Sequence, residues 1–377
     1  MAHSIGFRIT HQDTEAIARA NAFVATADNP SAVYYNPAGI TRLEGHNARV
    51  GFHAISINSS FRGDAGGTEH SDFAIQPVPH LYYAYATEDQ PLAFGLGIFA
   101  PFGLALDWGD DVVFRNLAIE GQIAYTTIAP VVAWRLHPTF SIAAGPTLNY
   151  VSAFLRRGAG VVPGDEFRFR GNDFCFGAKA GFLWQPVEKV SIGASYFSQS
   201  TVTLRGQSDV KPVIAGESGT TADADFPQFI MAGISYRPTP DWNIELGLEW
   251  TDWNALNTIS FEGTPVGPVT APFHWQSSFI YQIGVTRELG NAWWVAAGYF
   301  FAENSVPDAT FNPQVPDTDL HVPSIGFGRR GERWSWAVAT HVAVGPERSI
   351  NLGVGNPANG TYKWLDVGVN LSVGYHF

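Results

Sequence analysis

The sequence contains no clean apolar run of the roughly 20 residues that a membrane-spanning helix needs. The nearest stretch, residues 91–106, carries no charge but is broken by Gly95, Gly97, Pro101 and Gly103. Proline removes a backbone donor and glycine weakens helices, so this stretch does not predict a helix. The composition therefore argues against a helical membrane protein.

Charge and cysteine are also scarce. Charged residues make up 15% of the 377 residues, against roughly 25% in soluble domains. The formal net charge of −12 argues against a nucleic-acid partner. Cys175 is the single cysteine, which excludes an internal disulfide. No metal-ligand spacing, phosphate loop or redox motif appears, so we expect no metal and no cofactor.

Aromatic residues, by contrast, reach 14%, and from Asn47 onward apolar and polar positions alternate. The C-terminal stretch 365–377 is the clearest case, with apolar odd positions and polar or small even positions. This period of two predicts half-buried strands. We predict fourteen strands, near residues 47–62, 75–87, 91–102, 121–136, 139–156, 173–185, 190–205, 226–238, 242–262, 275–289, 292–302, 320–330, 334–345 and 361–377.

Three features favour a membrane barrel over a large soluble β-protein. The apolar faces run for about nine residues or more, enough to cross a bilayer when tilted. Short turns alternate with long connections at 103–120, 206–225 and 303–319, as in outer-membrane barrels. Tryptophans cluster near strand ends, as interface girdles do: Trp134, Trp184, Trp242, Trp250, Trp275, Trp293, Trp334 and Trp364. The predicted fold is all-β, a transmembrane antiparallel β-barrel of about 14 strands over residues 47–377.

Residues 1–46 are predicted to form an N-terminal helical hatch that plugs the lumen. The alanine-rich stretch 15–27 predicts a helix that Thr10 or Asp13 could cap. A surface helix on a soluble domain is the alternative. Met1 and Ala2 resemble an added start in front of a mature N-terminus, so we expect no signal peptide in this chain.

The segment after this helix contains the candidate gate of the hatch. Prolines fix the backbone at two points between residues 28 and 40, and Gly39 permits a tight reversal before the strands begin. Taken alone, the segment is an ordinary turn signal. Within a plugged barrel it predicts a gate formed by Asn36, Pro37 and Ala38.

Prolines inside the predicted strands indicate where the wall is weak, because each removes a ladder donor. Strands two to five contain Pro77, Pro79, Pro101, Pro130 and Pro146. Glycine beside proline in a strand indicates a bend or bulge, which predicts a lateral-opening kink at Ala100, Pro101, Phe102 and Gly103. We expect Asn36 to lie beside this kink and to bond the backbone that it frees. The alternative is that the prolines mark strand ends.

Other candidate chemistry is sparse. Glu245, Glu249 and Asp366 fall on polar strand faces, where we expect solvated lumen residues rather than an acid–base pair. Ser335 and His341 share a strand face but lie too far apart for a nucleophile and its base. Arg168 and Arg205 are candidates for meeting a carboxylate substrate inside the barrel.

Several short motifs resemble the FadL-type outer-membrane transporters of long-chain fatty acids and aromatic hydrocarbons over essentially the whole chain. They are Gly6-Phe7, Asp-Asn-Pro-Ser-Ala at 28–32, Tyr-Asn-Pro-Ala-Gly at 35–39, Ala-Pro-Phe-Gly at 100–103, Trp-Thr-Asp-Trp at 250–253, Pro307-Asp308, and Pro316-Asp317 ahead of Ser-Ile-Gly at 324–326. The resemblance implies a fourteen-strand barrel plugged by a hatch, with passive uptake and exit through a gap in the wall. The chain departs from the family at 157–172 and 206–225, which are short for loops that build an outer capture groove.

The expected function is passive uptake of hydrophobic small molecules, such as long-chain fatty acids or hydrocarbons, with lateral exit. A general diffusion porin is the alternative, and a lipid hydrolase embedded in the barrel is a third hypothesis. We expect a monomer in the outer membrane of a Gram-negative-type bacterium. Its partners would be the hydrophobic solute and outer-membrane lipid, and we expect no enzymatic activity.

Overall fold

The structure is a computed structural model that describes residues 6–87, 90–214 and 216–377. Its strands form one antiparallel sheet, in which the first and last strands pair from Asn47 opposite His376 to Gly63 opposite Gly360. The strands are β1 (Gly45–Gly63), β2 (Thr68–His70), β3 (Ala74–Ala86), β4 (Leu92–Asp107), β5 (Glu120–His137), β6 (Phe140–Arg157), β7 (Glu166–Val187), β8 (Val190–Phe197), β9 (Ser200–Lys211), β10 (Ser218–Phe226), β11 (Phe229–Tyr236), β12 (Trp242–Thr251), β13 (Thr258–Glu262), β14 (Val269–Pro272), β15 (Ser278–Gly290), β16 (Trp293–Ala302), β17 (Leu320–Arg330), β18 (Trp334–Val344), β19 (Arg348–Ile350) and β20 (Gly360–His376).

These segments make fourteen wall strands, as predicted. Four wall strands are each interrupted once, at the junctions β8/β9, β10/β11, β12/β13 and β14/β15, while β2 and β19 only extend their neighbours. Pro227 lies at the β10/β11 junction, where it cannot donate to a ladder. A short 3₁₀ helix, Trp253–Ala255, separates β12 from β13.

The wall exposes its apolar face and buries its polar one. On β20, Leu365, Val367, Val369, Leu371 and Val373 are 38 to 44% exposed, whereas Asp366, Asn370 and Ser372 are buried. This polarity is the reverse of a soluble sandwich and suits a barrel surrounded by lipid. Among the described residues, no helix is long and apolar enough to cross a membrane.

The predicted tryptophan girdles are only partly right. Five of the tryptophans are exposed at strand ends beside the short turns: Trp134, Trp184, Trp242, Trp293 and Trp334. Trp275 and Trp364 are buried instead. Alternation cannot separate an aromatic ring that faces lipid from one that faces a filled lumen.

Several strands extend beyond their predicted bounds on the long-loop side. β4 continues to Asp107 and β7 begins at Glu166, and most of the predicted loop 206–225 belongs to the β9–β10 hairpin. These extensions carry charged and hydroxyl residues on their outer face, such as Arg170 and Asp223. They therefore lack the apolar contrast on which the prediction rested.

The N-terminal region (residues 6–44) is less helical than predicted. It contains α1 (Thr14–Ala18), α2 (Ala32–Tyr35) and a 3₁₀ turn, Pro37–Arg42. The Asp13 carboxylate caps α1 by accepting the Glu15 N–H, but the helix ends at Ala18 and not at residue 27. Ala20 and Asn21 adopt positive φ angles of 54° and 63°, which end the helix. The first strand starts at Gly45, and residues 1–5 of the predicted hatch lie outside the described residues.

The N-terminal region fills the barrel because the wall makes room for its backbone. Residues 6–41 are all buried except Asp28. A Cβ on Gly284 would lie 2.4 Å from the Arg19 carbonyl oxygen, and one on Gly326 would lie 2.6 Å from the Ala18 Cβ. Similar close contacts with the region occur at Gly181, Gly193 and Gly298. Glycines on the inward faces of the strands are thus a sequence signal for a plug inside the barrel.

Candidate functional site

The wall is incompletely paired between β3 and β4. Within the described residues, β3 pairs with β4 only where residues 81–86 face residues 93–98. The next contact along this edge is the Asp72 N–H donating to the Asp107 carbonyl at 2.8 Å. Between them, residues 74–80 and 99–106 border a seam about 25 Å long at 3.3 Å per residue.

The predicted kink residues lie at one end of this seam. The β4–β5 register shifts by one residue between Phe99, opposite Thr127, and Phe102, opposite Tyr125. Such a shift is a β-bulge, which bends the strand. Beyond the bulge both faces of β4 are buried through Leu104, so the strand turns inward from the wall. The five prolines named from the sequence all lie within β3–β6, so the alternative that they mark strand ends is wrong.

The start of the chain takes the place that β3 leaves open along β4. Arg8 forms an antiparallel bridge with Phe102. The Ile9 N–H donates to the Pro101 carbonyl at 2.8 Å, and the Gly103 N–H donates to the Phe7 carbonyl at 2.9 Å. Residues 7–9 therefore act as a short surrogate strand on the inner side of the seam.

Gln12 completes this closure with its side-chain amide. Its Nε2 donates to the Ala100 carbonyl at 2.7 Å, and its Oε1 accepts the Ala100 N–H at 3.2 Å. Two tyrosines hold the Gln12 backbone: the Tyr35 hydroxyl accepts its N–H, and the Tyr82 hydroxyl donates to its carbonyl. Both backbone groups of Ala100 are thus satisfied by one side chain of the plug.

Arg8 anchors the surrogate strand through a buried ion pair. Its Nε lies 2.8 Å from Glu249 Oε1, with both side chains almost fully buried. The guanidinium also donates to the Tyr34 hydroxyl and the Pro101 carbonyl, and it lies 3.8 Å from the Phe229 ring centre. A charge buried at this depth is tolerated only when it is paired and hydrogen-bonded. Arg8 and Gln12 could not be predicted from the sequence, because their roles depend on the register of β4.

The lumen carboxylates are buried and not solvated, contrary to the prediction. Glu249 pairs with Arg8, and Asp366 is fully buried on β20. Glu245 accepts the N–H groups of Ala25 and Thr26 at 2.8 and 2.9 Å. The plug therefore uses these carboxylates as backbone acceptors and ion-pair partners.

Asn36 lies against β7 and not at the kink, so the expected contact with the freed backbone is wrong. Its Nδ2 donates to the Phe182 carbonyl at 2.8 Å and to the Val24 carbonyl at 2.9 Å. Glycines at 181 and 193 provide the room, since a Cβ on either would lie within 2.7 Å of the amide. Pro37 starts the 3₁₀ turn, and the Ala38 N–H donates to Asn36 Oδ1 at 3.2 Å. Asn36 thus joins two parts of the plug to the wall at β7, three strands beyond β4.

The arginines suggested for a carboxylate substrate do not face the lumen. Arg168 pairs with Glu166, and Arg205, which is exposed, pairs with Asp173. His341 is buried against His11, with ring centres 4.1 Å apart. No group of potential ligands within the described ranges has metal-binding geometry.

An aromatic cluster adjoins the kink inside the barrel. Phe7 packs edge-on against Trp253 at 4.8 Å between ring centres, and Tyr125 lies 4.7 Å from Phe226. Phe102 contacts this group and Phe229 from the kink itself. The inner side of the seam is therefore largely apolar apart from Arg8 and Gln12.

Asp317 ties the start of the surrogate strand to the long loop between β16 and β17. Its Oδ2 accepts the Gly6 N–H at 3.2 Å and the Ser305 N–H at 2.9 Å. Burial raises the pKa of this carboxyl to about 7, although the N–H donors act in the opposite direction. The Asp317 carboxyl therefore gains or loses its proton near neutral pH.

Comparison with known proteins identifies related transporters. Residues 1–345 match the model of a family described as outer membrane protein transport protein (OMPP1/FadL/TodX). Outer membrane protein NMB0088 of Neisseria meningitidis serogroup B is 27% identical over 55% of this chain, and the match spans about half, 52%, of that relative. A FadL homologue of Pseudomonas aeruginosa has a similar fold, with a TM-score of 0.88, 17% identity and coverage of 98% of this chain and 99% of that one. The toluene transporter TbuX of Ralstonia pickettii gives a TM-score of 0.76, 16% identity and coverage of 97% and 98%.

Replacing Asn36 should loosen the plug from the wall. Asn36→Ala removes two hydrogen bonds between the plug and its surroundings, each worth about 0.5–1.5 kcal/mol net. We expect faster hydrogen exchange, measured by mass spectrometry, in peptides covering residues 22–38. Asn254→Ala, which removes an exposed amide, is the matched control and should leave this exchange unchanged. Equal exchange in the wild type and Asn36→Ala would contradict the assigned contact.

Asp317 should make stability depend on pH. Its pKa is about 7 when folded, against an ordinary value of 3.8, so the folded state binds the extra proton between these values. Its contribution to the free energy of unfolding should therefore fall as pH rises from about 4 to about 7 and level off above. Asp317→Asn removes this titration. The thermal midpoint of Asp317→Asn minus that of the wild type should rise over this window, and a difference independent of pH would contradict the prediction.

Proposed function

Because this chain belongs to the outer-membrane transport protein family of FadL and TodX, we propose that it takes up small hydrophobic molecules passively and releases them sideways through the β3–β4 seam. Members of this family are outer-membrane transporters of hydrophobic compounds, and we infer long-chain fatty acids or hydrocarbons as the cargo. The observation that carries the proposal is that, within the part of the chain that the structure describes, a wall edge without strand pairing is bridged by the N-terminal segment.

An apolar route favours exit into the membrane. A hydrophobic solute gains about 25 cal/mol for each Å² of apolar surface removed from water, so a wet axial pore offers it no advantage. The aromatic cluster around Phe7 and Phe102 adjoins the seam from within. A solute bound there needs only the surrogate strand to withdraw in order to reach lipid.

Residues 1–46 are proposed as the hatch and residues 47–377 as the barrel. The burial of residues 6–41 supports a closed axis. A general diffusion porin, the alternative, needs an open lumen with solvated charges at its constriction. Here the buried pairs Arg8–Glu249 and Arg49–Glu15 join plug and wall. We further propose that the protein acts as a monomer in contact with outer-membrane lipid.

Straightening β4 should stop transport. Pro101→Val with Gly103→Val restores a donor at the bulge and favours regular pairing with β5. We expect uptake of a labelled hydrophobic solute into proteoliposomes to fall by about tenfold or more, which corresponds to roughly 1.4 kcal/mol in the opening equilibrium. Heat resistance in detergent should hold or rise.

Two measurements make this result decisive. Circular dichroism and the heat-dependent shift on gels establish that the variant is folded. Single-channel conductance separates the proposal from the porin, because a porin gives large steady steps in both proteins. Uptake at the wild-type rate by a folded variant would refute lateral exit at this kink.

A further inference from the structure

The free edge of β3 along the seam lacks two hydrogen-bond donors. Pro77 and Pro79 lie opposite Ala54 and Phe52 of β1 within an unbroken ladder. Neither proline can donate to β1, and in an antiparallel ladder alternate residues direct their backbone groups to opposite neighbours. Positions 77 and 79 therefore face β4, where both lack the N–H that a partner would need.

The register shows which residue of β4 this deficit affects. Leu81 is the last residue of β3 that pairs with β4, opposite Ile98. Extending that register by two residues places Pro79 opposite Ala100. Directly opposed residues of this type exchange two hydrogen bonds, but Pro79 cannot supply one of them. The Gln12 side-chain amide makes both bonds to Ala100 instead.

We propose that Pro77 and Pro79 are positioning residues that keep β3 from pairing with β4, so that Ala100 is closed by Gln12 of the hatch. This inference rests on the proposed lateral exit and names the device that keeps the exit available. A wall closed by backbone ladders opens only when strands separate. At Ala100, where the wall is closed by the Gln12 amide, it can open when the plug moves.

Another proline in the same wall behaves differently and provides a matched control. Pro130 of β5 lies opposite Leu96 of β4, within a paired stretch. On its other side the β5–β6 register has no pairs from Ala129 to Val131, so the missing donor of Pro130 interrupts the ladder with β6. The missing donor of Pro130 therefore does not border the seam.

The test compares Pro77→Val with Pro79→Val, combined and singly, against Pro130→Val in lipid nanodiscs. Hydrogen exchange by mass spectrometry reports pairing of residues 73–80 and 99–106, and proteoliposome uptake of a labelled alkane reports transport. The combined variant should slow exchange in both segments and lower uptake by about tenfold, since two added backbone bonds stabilise the closed wall. Pro130→Val should leave exchange in these segments and uptake unchanged.

Gln12→Ala provides an independent reading. It should accelerate exchange around Ala100 in the wild type but much less in Pro79→Val, where β3 supplies the missing donor. Unchanged exchange at 73–80 and 99–106 in a folded Pro77/Pro79 variant would overturn the role of the prolines, whatever the uptake. Slower exchange with normal uptake would support that role and overturn the seam as the exit.

Discussion

Every backbone N–H and C=O within a bilayer must find a partner, because each unsatisfied group costs several kcal/mol in hydrocarbon. A closed barrel meets this demand with its ladders, and this chain does so around almost the whole wall. The seam between β3 and β4 is a long gap in these ladders, and shorter gaps lie beside Pro130, between β5 and β6, and beside Pro323, between β17 and β18. The backbone groups on the β4 side of the seam form hydrogen bonds with Phe7, Ile9 and Gln12, which all lie near the N-terminal end of the described residues. The hatch is thus both a plug for the lumen and a piece of the wall.

The remainder of the plug is built to hold that piece in register. Wall glycines admit its backbone, Asn36 fastens it to β7, and buried ion pairs fix its orientation. Such pairs add little net stability because desolvation offsets their attraction. They do penalise any other placement of the hatch, since a displaced Arg8 would leave Glu249 buried without a partner.

The sequence predicted the barrel well and the plug poorly, for physical reasons. Alternation in stretches such as 365–377 follows from lipid on one side and a polar interior on the other, so fourteen strands could be counted. The hatch sequence has no repeating pattern of apolar and polar residues from which its structure could be predicted. Alanine content suggested a helix through residue 27, but the helix ends at Ala18 because Ala20 and Asn21 adopt positive φ angles. Prolines located the bulge in β4. The partner of Ala100 depends on which residues lie opposite it in three dimensions, so the role of Gln12 could not be predicted. For the same reason Asn36 was predicted beside the kink, whereas it contacts β7.

Photo-cross-linking from the outer face of the seam tests lateral release most directly. A photoreactive residue at Ile75, which is 61% exposed on β3, samples lipid beside the seam, and one at Ile283 of β15, 43% exposed, samples lipid elsewhere on the wall. A labelled hydrophobic solute is added on the long-loop side of oriented proteoliposomes and irradiated early in uptake. Lateral exit predicts that position 75 is labelled well before position 283. Equal early labelling at both positions, or early labelling only of residues at the short-turn mouth, would contradict it.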